Sequence, residues 1–443
     1  MSEFCQKRWI DPIVSSFIEK DIGNDVDVFI GEVVLYFEGN KINLVLVDER
    51  QFLPISYIES LLVTNVCPFM NIAFIANDTT RTGGSILLVR LMTLLKTSGY
   101  DLSILIKSDN GPLAGELSSL ASHSSIYREK NESVIGYTKR KAFRATGRGF
   151  GKVFDHAGVI FNNTFANGVL LQSIRSAYSI PIISYIHELQ TIAKIHIDKP
   201  SFEETIRHTN LFAVPSRAVA DFLTSECGVG ASKIYPLDYY IPVTDVPSKN
   251  QENGRQLVIG GCGTADWRKG FDLFVQTAFF VRRNFPALDC RFVWKGGGEN
   301  STPIRHSKAE MLRARITDLV TFADPNESMK SFYGSLDVLL LTSREDPYPL
   351  VVLEAAAHSV PTICFENSGG APEFIESDGG QVVRYVDVAQ MAAAIQAYSN
   401  DRHMMQQHGS NAHKKLLMKH SDSKRIIAQV ENIISAGTKT AGQ

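Results

Sequence analysis

Two carboxylates, Asp346 and Glu354, stand with seven residues between them in the segment Ser343–Pro361, SREDPYPLVVLEAAAHSVP. Carboxylates accept hydrogen bonds from hydroxyls, and a pair with this spacing can meet one hydroxyl-rich ligand from a loop and from a helix. Pro347 and Pro349 cannot prolong the apolar run DVLLLTS before them, and proline favours a helix start. The amides of Leu350 and Val351 are then unpaired donors at the positive end of a helix, suited to a diphosphate. The plainer reading has Asp346 capping that helix and Glu354 solvated upon it. A second segment, Ile259–Ala278 (IGGCGTADWRKGFDLFVQTA), sets Lys269-Gly270 at a helix entrance behind a glycine turn. Small residues there admit a phosphate to the backbone, and an ammonium offsets negative charge growing on a leaving group. Arg268 is its neighbour in sequence.

Over these segments the chain resembles glycosyltransferase family 4, retaining enzymes of the two-Rossmann-domain GT-B fold. The shared pattern is two acidic residues separated by seven, then E-A-x-A-x-G-x-P between two strands. Asp346 stands where glutamate is usual and Ser359 where glycine is usual. The family also places an arginine six residues before its lysine, where this chain has Gly263; Arg268 is the candidate to compensate. Trp294–Gly298 (WKGGG) matches the glycine turn behind the nucleotide, Val320–Phe322 the segment beside the base, and Phe365–Glu373 the G-G-x-P-E loop. Nearer the N-terminus, Gly83-Gly84, His187 and Ser216 fall at family strand ends.

The resemblance implies a retaining glycosyltransferase that moves a sugar from a nucleotide-diphosphate donor to a hydroxyl of a glycan or lipid-linked acceptor. The setting it implies is bacterial surface polysaccharide biosynthesis. It gives the diphosphate to Lys269, with Arg268 beside it, a donor-sugar hydroxyl to Asp346, and the sugar's opposite side to His187. Glu354 takes the ribose, and Leu350, Val351, Gly83, Gly84, Gly297, Phe322, Gly370 and Ser216 line the donor site. No metal and no cofactor beyond the nucleotide sugar are implied. Two other readings stay open on the same architecture: an epimerase acting on the nucleotide sugar alone, and a non-catalytic sugar-binding protein, which Gly263 favours.

The elements that must position these residues follow doubly wound α/β grammar. Asn71–Ala76, Leu102–Ile106, Gly158–Phe161, Ile182–Tyr185 and Leu211–Val214 are short apolar runs that predict buried strands, with a helix over Ile86–Ser98. After a polar linker at Val243–Arg255 the grammar restarts. Strands are expected at Leu257–Gly261, Arg291–Trp294, Leu336–Thr342 and Thr362–Phe365, and helices over Gly270–Asn284 and from Leu350. The domains are therefore 70–245 and 256–420, facing across a cleft, followed by a helix and tail over 421–443. Residues 1–69 form an extra α+β segment of unassigned role. It holds a hairpin of Val26–Phe37 and Ile42–Val47 about Glu38–Lys41, then a helix over Ile55–Leu62.

Composition bounds the rest. The 443 residues carry 45 basic and 47 acidic side chains, a formal charge of −2, which argues against a nucleic-acid partner. No apolar run approaches a membrane span, and the charged MSEFCQKRWIDP does not resemble a secretory signal, so the cytoplasm is expected. Lys139–Lys152 (KRKAFRATGRGFGK) holds six basic residues and two phenylalanines. One reading is peripheral contact with the inner face of an anionic membrane; a solvated, partly mobile loop is preferred. The six cysteines form no C-x-x-C pair and are read as free thiols. Asp25-Val26-Asp27 mimics a D-x-D metal motif inside the hairpin and is taken as surface charge.

Overall fold

A computed structural model of the chain describes residues 33–38, 41–46, 70–128, 134–243, 256–298 and 301–441. The leading unit, 1–65, contributes β1 (Val33–Glu38) and β2 (Lys41–Leu46), paired antiparallel from Val33↔Leu46 to Glu38↔Lys41. The hairpin expected about residues 38–41 is present. The helix over Ile55–Leu62, the D-x-D motif and most of the linker lie outside the described residues.

The second unit, 66–443, holds two parallel sheets. The first contains β3 (Asn71–Asp78), β4 (Asp101–Ser108), β5 (His123–Arg128), β6 (Ala157–Asn162), β7 (Ile182–Tyr185), β8 (Leu211–Val214) and β9 (Ile234–Pro236), in the order β5-β4-β3-β6-β7-β8-β9. The second contains β10 (Leu257–Cys262), β11 (Cys290–Lys295), β12 (Val320–Phe322), β13 (Val338–Leu341), β14 (Thr362–Phe365) and β15 (Gly380–Val383), in the order β12-β11-β10-β13-β14-β15. This is the two-Rossmann-domain arrangement that the resemblance implies.

Parallel strands covered on both faces must be apolar throughout. In β3, Ile72, Phe74 and Ala76 enter one core while Ala73 and Ile75 enter another. In β13, Val338 and Leu340 face away from Leu339 and Leu341 in the same manner. Strand order reverses between β3 and β6 and between β10 and β13, so each sheet has a switch point where the following loops part and a ligand crevice opens.

The helix predicted from Ile86 begins at Gly83, because the Thr82 side chain accepts from the Ser85 amide and caps it three residues earlier. The last helix, Ser423–Ala441, returns across the molecule. Its Ile426, Val430, Ile433 and Ile434 are buried in the apolar cluster over β6, β7 and β8.

One reading needs correction. The basic stretch from Lys139 is not a loop: Val134–Thr146 is a helix, followed by a short one at Gly151–Phe154. Phe143 and Phe150 are buried against each other and Tyr127, with ring centroids 5.2–6.0 Å apart. Both phenylalanines belong to the domain core, while Lys139, Lys141, Arg144, Arg148 and Lys152 are exposed.

Candidate active site

The loop that follows β10 is shaped by glycine. Gly270 is left-handed (φ 68°), and a Cβ there would lie 1.9 Å from the Thr342 carbonyl oxygen. That close approach docks the start of helix Phe271–Asn284 against the end of β13. Asp266 accepts from the Lys269 amide at 2.7 Å, and the Lys269 ammonium forms an ion pair with the Asp346 carboxylate. Arg268 turns to the same place. Its Nη1 lies 3.8 Å from Asp346 Oδ2 and donates to the Glu345 carbonyl at 3.1 Å.

Gly263 has φ 145°, and a Cβ there would press on the Lys269 stem at 3.2 Å. An arginine at that position would be strained, and in this chain the cations come from Arg268 and Lys269. Asp346 is buried and fixed from both sides: its amide donates to the Ser368 carbonyl at 2.7 Å, and its carbonyl accepts from Gly370 at 3.2 Å.

Helix Leu350–Ala357 begins after Pro349, whose side chain cannot cap it. Asp346 is therefore not the cap. Val352 bonds back to the Pro349 carbonyl at 3.1 Å, while the amides of Leu350 and Val351 have no partner among the described residues. One turn on, the two oxygens of Glu354 are taken separately. Arg90 Nη2 donates to Oε1 at 2.8 Å, and the Tyr333 hydroxyl donates to Oε2 at 3.1 Å. Glu354 is thus held in place, not free in solvent.

Arg90 comes from the N-terminal domain, on helix Gly83–Thr97, whose Gly83 faces Leu350. Beside Gly84 lie Asn163 and His187, at the ends of β6 and β7. Asn163 donates to the Gly84 carbonyl at 3.2 Å, so its carbonyl end accepts from His187 Nε2 at 2.9 Å. His187 Nδ1 then accepts from the Tyr239 hydroxyl at 3.1 Å. Burial pulls the His187 ring down to about 3, so it is neutral. Next to it Glu188, buried and hydrogen-bonded to Thr164, is pushed up to about 7 by desolvation.

Other residues on the expected list stand nearby with different neighbours. The Ser216 hydroxyl caps its own helix and donates to the Pro347 carbonyl at 2.8 Å, so it contacts the opposite domain. Gly370 packs under Tyr348 and Ser216, where a Cβ would lie 2.3 Å from the Tyr348 ring. Gly297 (φ 70°) sits against the Ala265 amide, and Phe322 packs on Phe271 at 5.9 Å.

Sequence reading missed Arg90, Asn163, Tyr239, Tyr333 and Glu345, the last of which accepts from Thr191 at 2.8–3.1 Å across the domains. Among the described residues no three His, Cys, Asp or Glu side chains group closely enough to hold a metal ion, and no helix is long and apolar enough to cross a membrane.

Known proteins resemble the chain in sequence and in fold. The chain is 26% identical over 160 residues to the lipopolysaccharide core biosynthesis mannosyltransferase LpcC of Rhizobium leguminosarum, covering 36% of this chain and 45% of that protein. It is 27% identical over 234 residues to the amylovoran biosynthesis glycosyltransferase AmsD of Erwinia amylovora, covering 49% and 64% respectively. It therefore spans less than two thirds of either relative. The structure of HepE from Anabaena, in complex with UDP and glucose, superposes with a TM-score of 0.66 at 16% identity, over 83% of this chain and 100% of that one. That likeness shows the GT-B fold. Residues 256–401, which carry Lys269, Asp346 and Glu354, match the family model described as glycosyl transferases group 1.

Proposed function

We propose that the protein is a retaining glycosyltransferase, moving a sugar from a nucleotide-diphosphate donor to a hydroxyl acceptor. The observation that carries this reading is the convergence of Lys269 and Arg268 on Asp346, beside the unpaired amides at the start of helix Leu350–Ala357. Breaking the bond between the sugar and the diphosphate leaves an oxocarbenium-like sugar and places negative charge on the leaving group. Lys269 and the amides of Leu350 and Val351 are placed to meet that charge, and preorganised donors of this kind are a large source of rate enhancement. Asp346, oriented by the two cations, accepts from a hydroxyl of the donor sugar. Glu354, oriented by Arg90 and Tyr333, accepts from the ribose.

On the facing wall, the neutral His187 ring approaches the sugar without adding charge. Both of its nitrogens are engaged, so it serves as a fixed surface and not as a base. HepE, bound to UDP and glucose, supports a nucleotide sugar as donor. The named roles of LpcC and AmsD support a glycan or lipid-linked acceptor in surface polysaccharide biosynthesis, and a cytoplasmic enzyme fits that setting. The exposed basic face of helix Val134–Thr146 suits peripheral attachment to the inner membrane face. The test is nucleotide release from a panel of nucleotide sugars, with and without mixed glycan acceptors. Acceptor-dependent release supports the reading, and conversion of the sugar without any acceptor would replace it with an epimerase.

A further inference from the structure

Arg90 meets Glu354 through only one of its two terminal nitrogens. Nη2 donates to Glu354 Oε1 at 2.8 Å, while Nη1 is buried with no hydrogen-bond partner. A buried guanidinium N–H without an acceptor is costly, and such orphans in native proteins call for an explanation.

Its position suggests one. Arg90 lies seven residues, about two helical turns, beyond Gly83 and on the same face of its helix. Gly83 stands against Leu350, a Cβ there lying 3.8 Å from Leu350 Cδ1, and Glu354 is one turn beyond Leu350. The two helices therefore face each other with their N-terminal ends together, and Arg90 and Glu354 meet one step further in.

The Glu354 carboxylate has acceptor capacity to spare. Each oxygen accepts one protein hydrogen bond, from Arg90 and from Tyr333, and has a further lone pair. A ribose hydroxyl can be taken by Glu354 without breaking the pair, and the ligand that brings it also brings oxygens within reach of Nη1. An ion pair serving only to join the domains would need one donor, and the planar fork of arginine supplies a second in a fixed direction.

We propose that Arg90 is a donor-binding residue contributed by the N-terminal domain. Its Nη1 group takes a ribose or phosphate oxygen of the nucleoside diphosphate, while Nη2 holds Glu354 in the orientation that receives the ribose. Nucleotide binding in one domain thereby draws on a residue of the other. This rests on the donor reading above.

The test is calorimetric titration of the full chain with UDP, GDP and ADP, followed by the tightest of these on Arg90→Lys and Arg90→Met. An ammonium can keep the ion pair to Glu354 but offers no second nitrogen. Arg90→Lys is expected to melt within a degree or two of wild type without nucleotide, yet to bind the nucleotide about tenfold more weakly, as Arg90→Met does. Wild-type affinity in Arg90→Lys or Arg90→Met overturns the proposal and leaves the donor reading standing. If none of the three nucleotides binds the wild-type chain, the donor reading falls and this proposal with it. Titrating the matching nucleoside identifies the oxygen: an equal loss places it on the ribose, and no loss places it on a phosphate.

Discussion

Ser216 joins the two domains through a single hydroxyl: it accepts from the Val219 amide at 3.3 Å to cap its own helix and donates to the Pro347 carbonyl at 2.8 Å. Pro347 follows Asp346 directly, so this bond also steadies the loop that carries the carboxylate. Ser216→Ala removes a cap worth about 1 kcal/mol and a hydrogen bond of similar worth. A fall in stability of about 2 kcal/mol is expected in denaturant unfolding, with nucleotide affinity changed less than threefold. A large affinity loss at unchanged stability would show that Ser216 binds the donor directly.

Lys269→Ala is expected to lower turnover by about 10²–10³ while the chain stays folded, since it removes one preorganised positive donor at the leaving group. Arg268→Ala is expected to cost less, because its guanidinium stands 3.8 Å from Asp346 and makes its hydrogen bond to the Glu345 backbone. Steady-state rates on the same donor rank the two. Equal effects would mean that Arg268 substitutes for the arginine absent at position 263.

Gly270→Ala should act through the backbone. The left-handed conformation alone costs a non-glycine residue about 1–2 kcal/mol, and the Thr342 carbonyl leaves no room for a Cβ. A lowered melting temperature is expected together with lost activity, because the turn sets Lys269 against Asp346. A stable, active variant would show that the turn relaxes freely.

His187 and Glu188 predict an opposed pH dependence. Glu188, raised from 4.5 to about 7, keeps its proton longer folded than unfolded, so its stabilising contribution is complete below pH 4.5 and is lost as pH rises through 7. His187, lowered from 6.5 to about 3, contributes fully above pH 6.5 and loses that contribution as pH falls toward 3. Between pH 4.5 and 6.5 the two slopes oppose each other. Glu188→Gln should unmask the histidine, so that melting temperature relative to wild type rises with pH across that window. A difference independent of pH would show that Glu188 titrates alike in the folded and unfolded chain.

Phe143→Ala tests the corrected basic segment. Loss of a buried ring costs about 3–5 kcal/mol, so the variant should be markedly destabilised in denaturant. Reduced binding to anionic vesicles at unchanged stability would instead place that ring at the membrane.

How much the sequence discloses depends on burial. Strands β7, β8 and β14 are legible residue for residue, because both faces of each are covered and the run is buried throughout and mostly apolar. Of the four edge strands of the two parallel sheets, β5, β9 and β15 escape notice, and β12 alone carries a recognisable pattern. His123–Arg128 is mostly polar and half exposed, as an edge permits. Helix Val134–Thr146 escapes for a related reason: among its described side chains Phe143 alone is buried in the core.

The site divides along the same line. Lys269, Asp346 and Glu354 are legible because each lies within a short motif of a single domain. Arg90 is not, since an arginine on an amphipathic helix looks solvated until a helix 264 residues away is folded against it. Tyr239 and Asn163 are equally silent, being ordinary residues whose meaning comes from His187 between them.

The return of helix Ser423–Ala441 to the first sheet has a bearing on how the chain is made. Ile426, Val430, Ile433 and Ile434 cover apolar residues of a domain whose first strand begins at Asn71. Translation proceeds at about 5–20 residues per second, so roughly 20–70 s separate synthesis of that strand from synthesis of its cover. For that interval a nascent sheet waits with one wall missing. A premature stop in the last twenty residues would therefore leave the N-terminal domain, not the C-terminal one, exposed to chaperones and proteases.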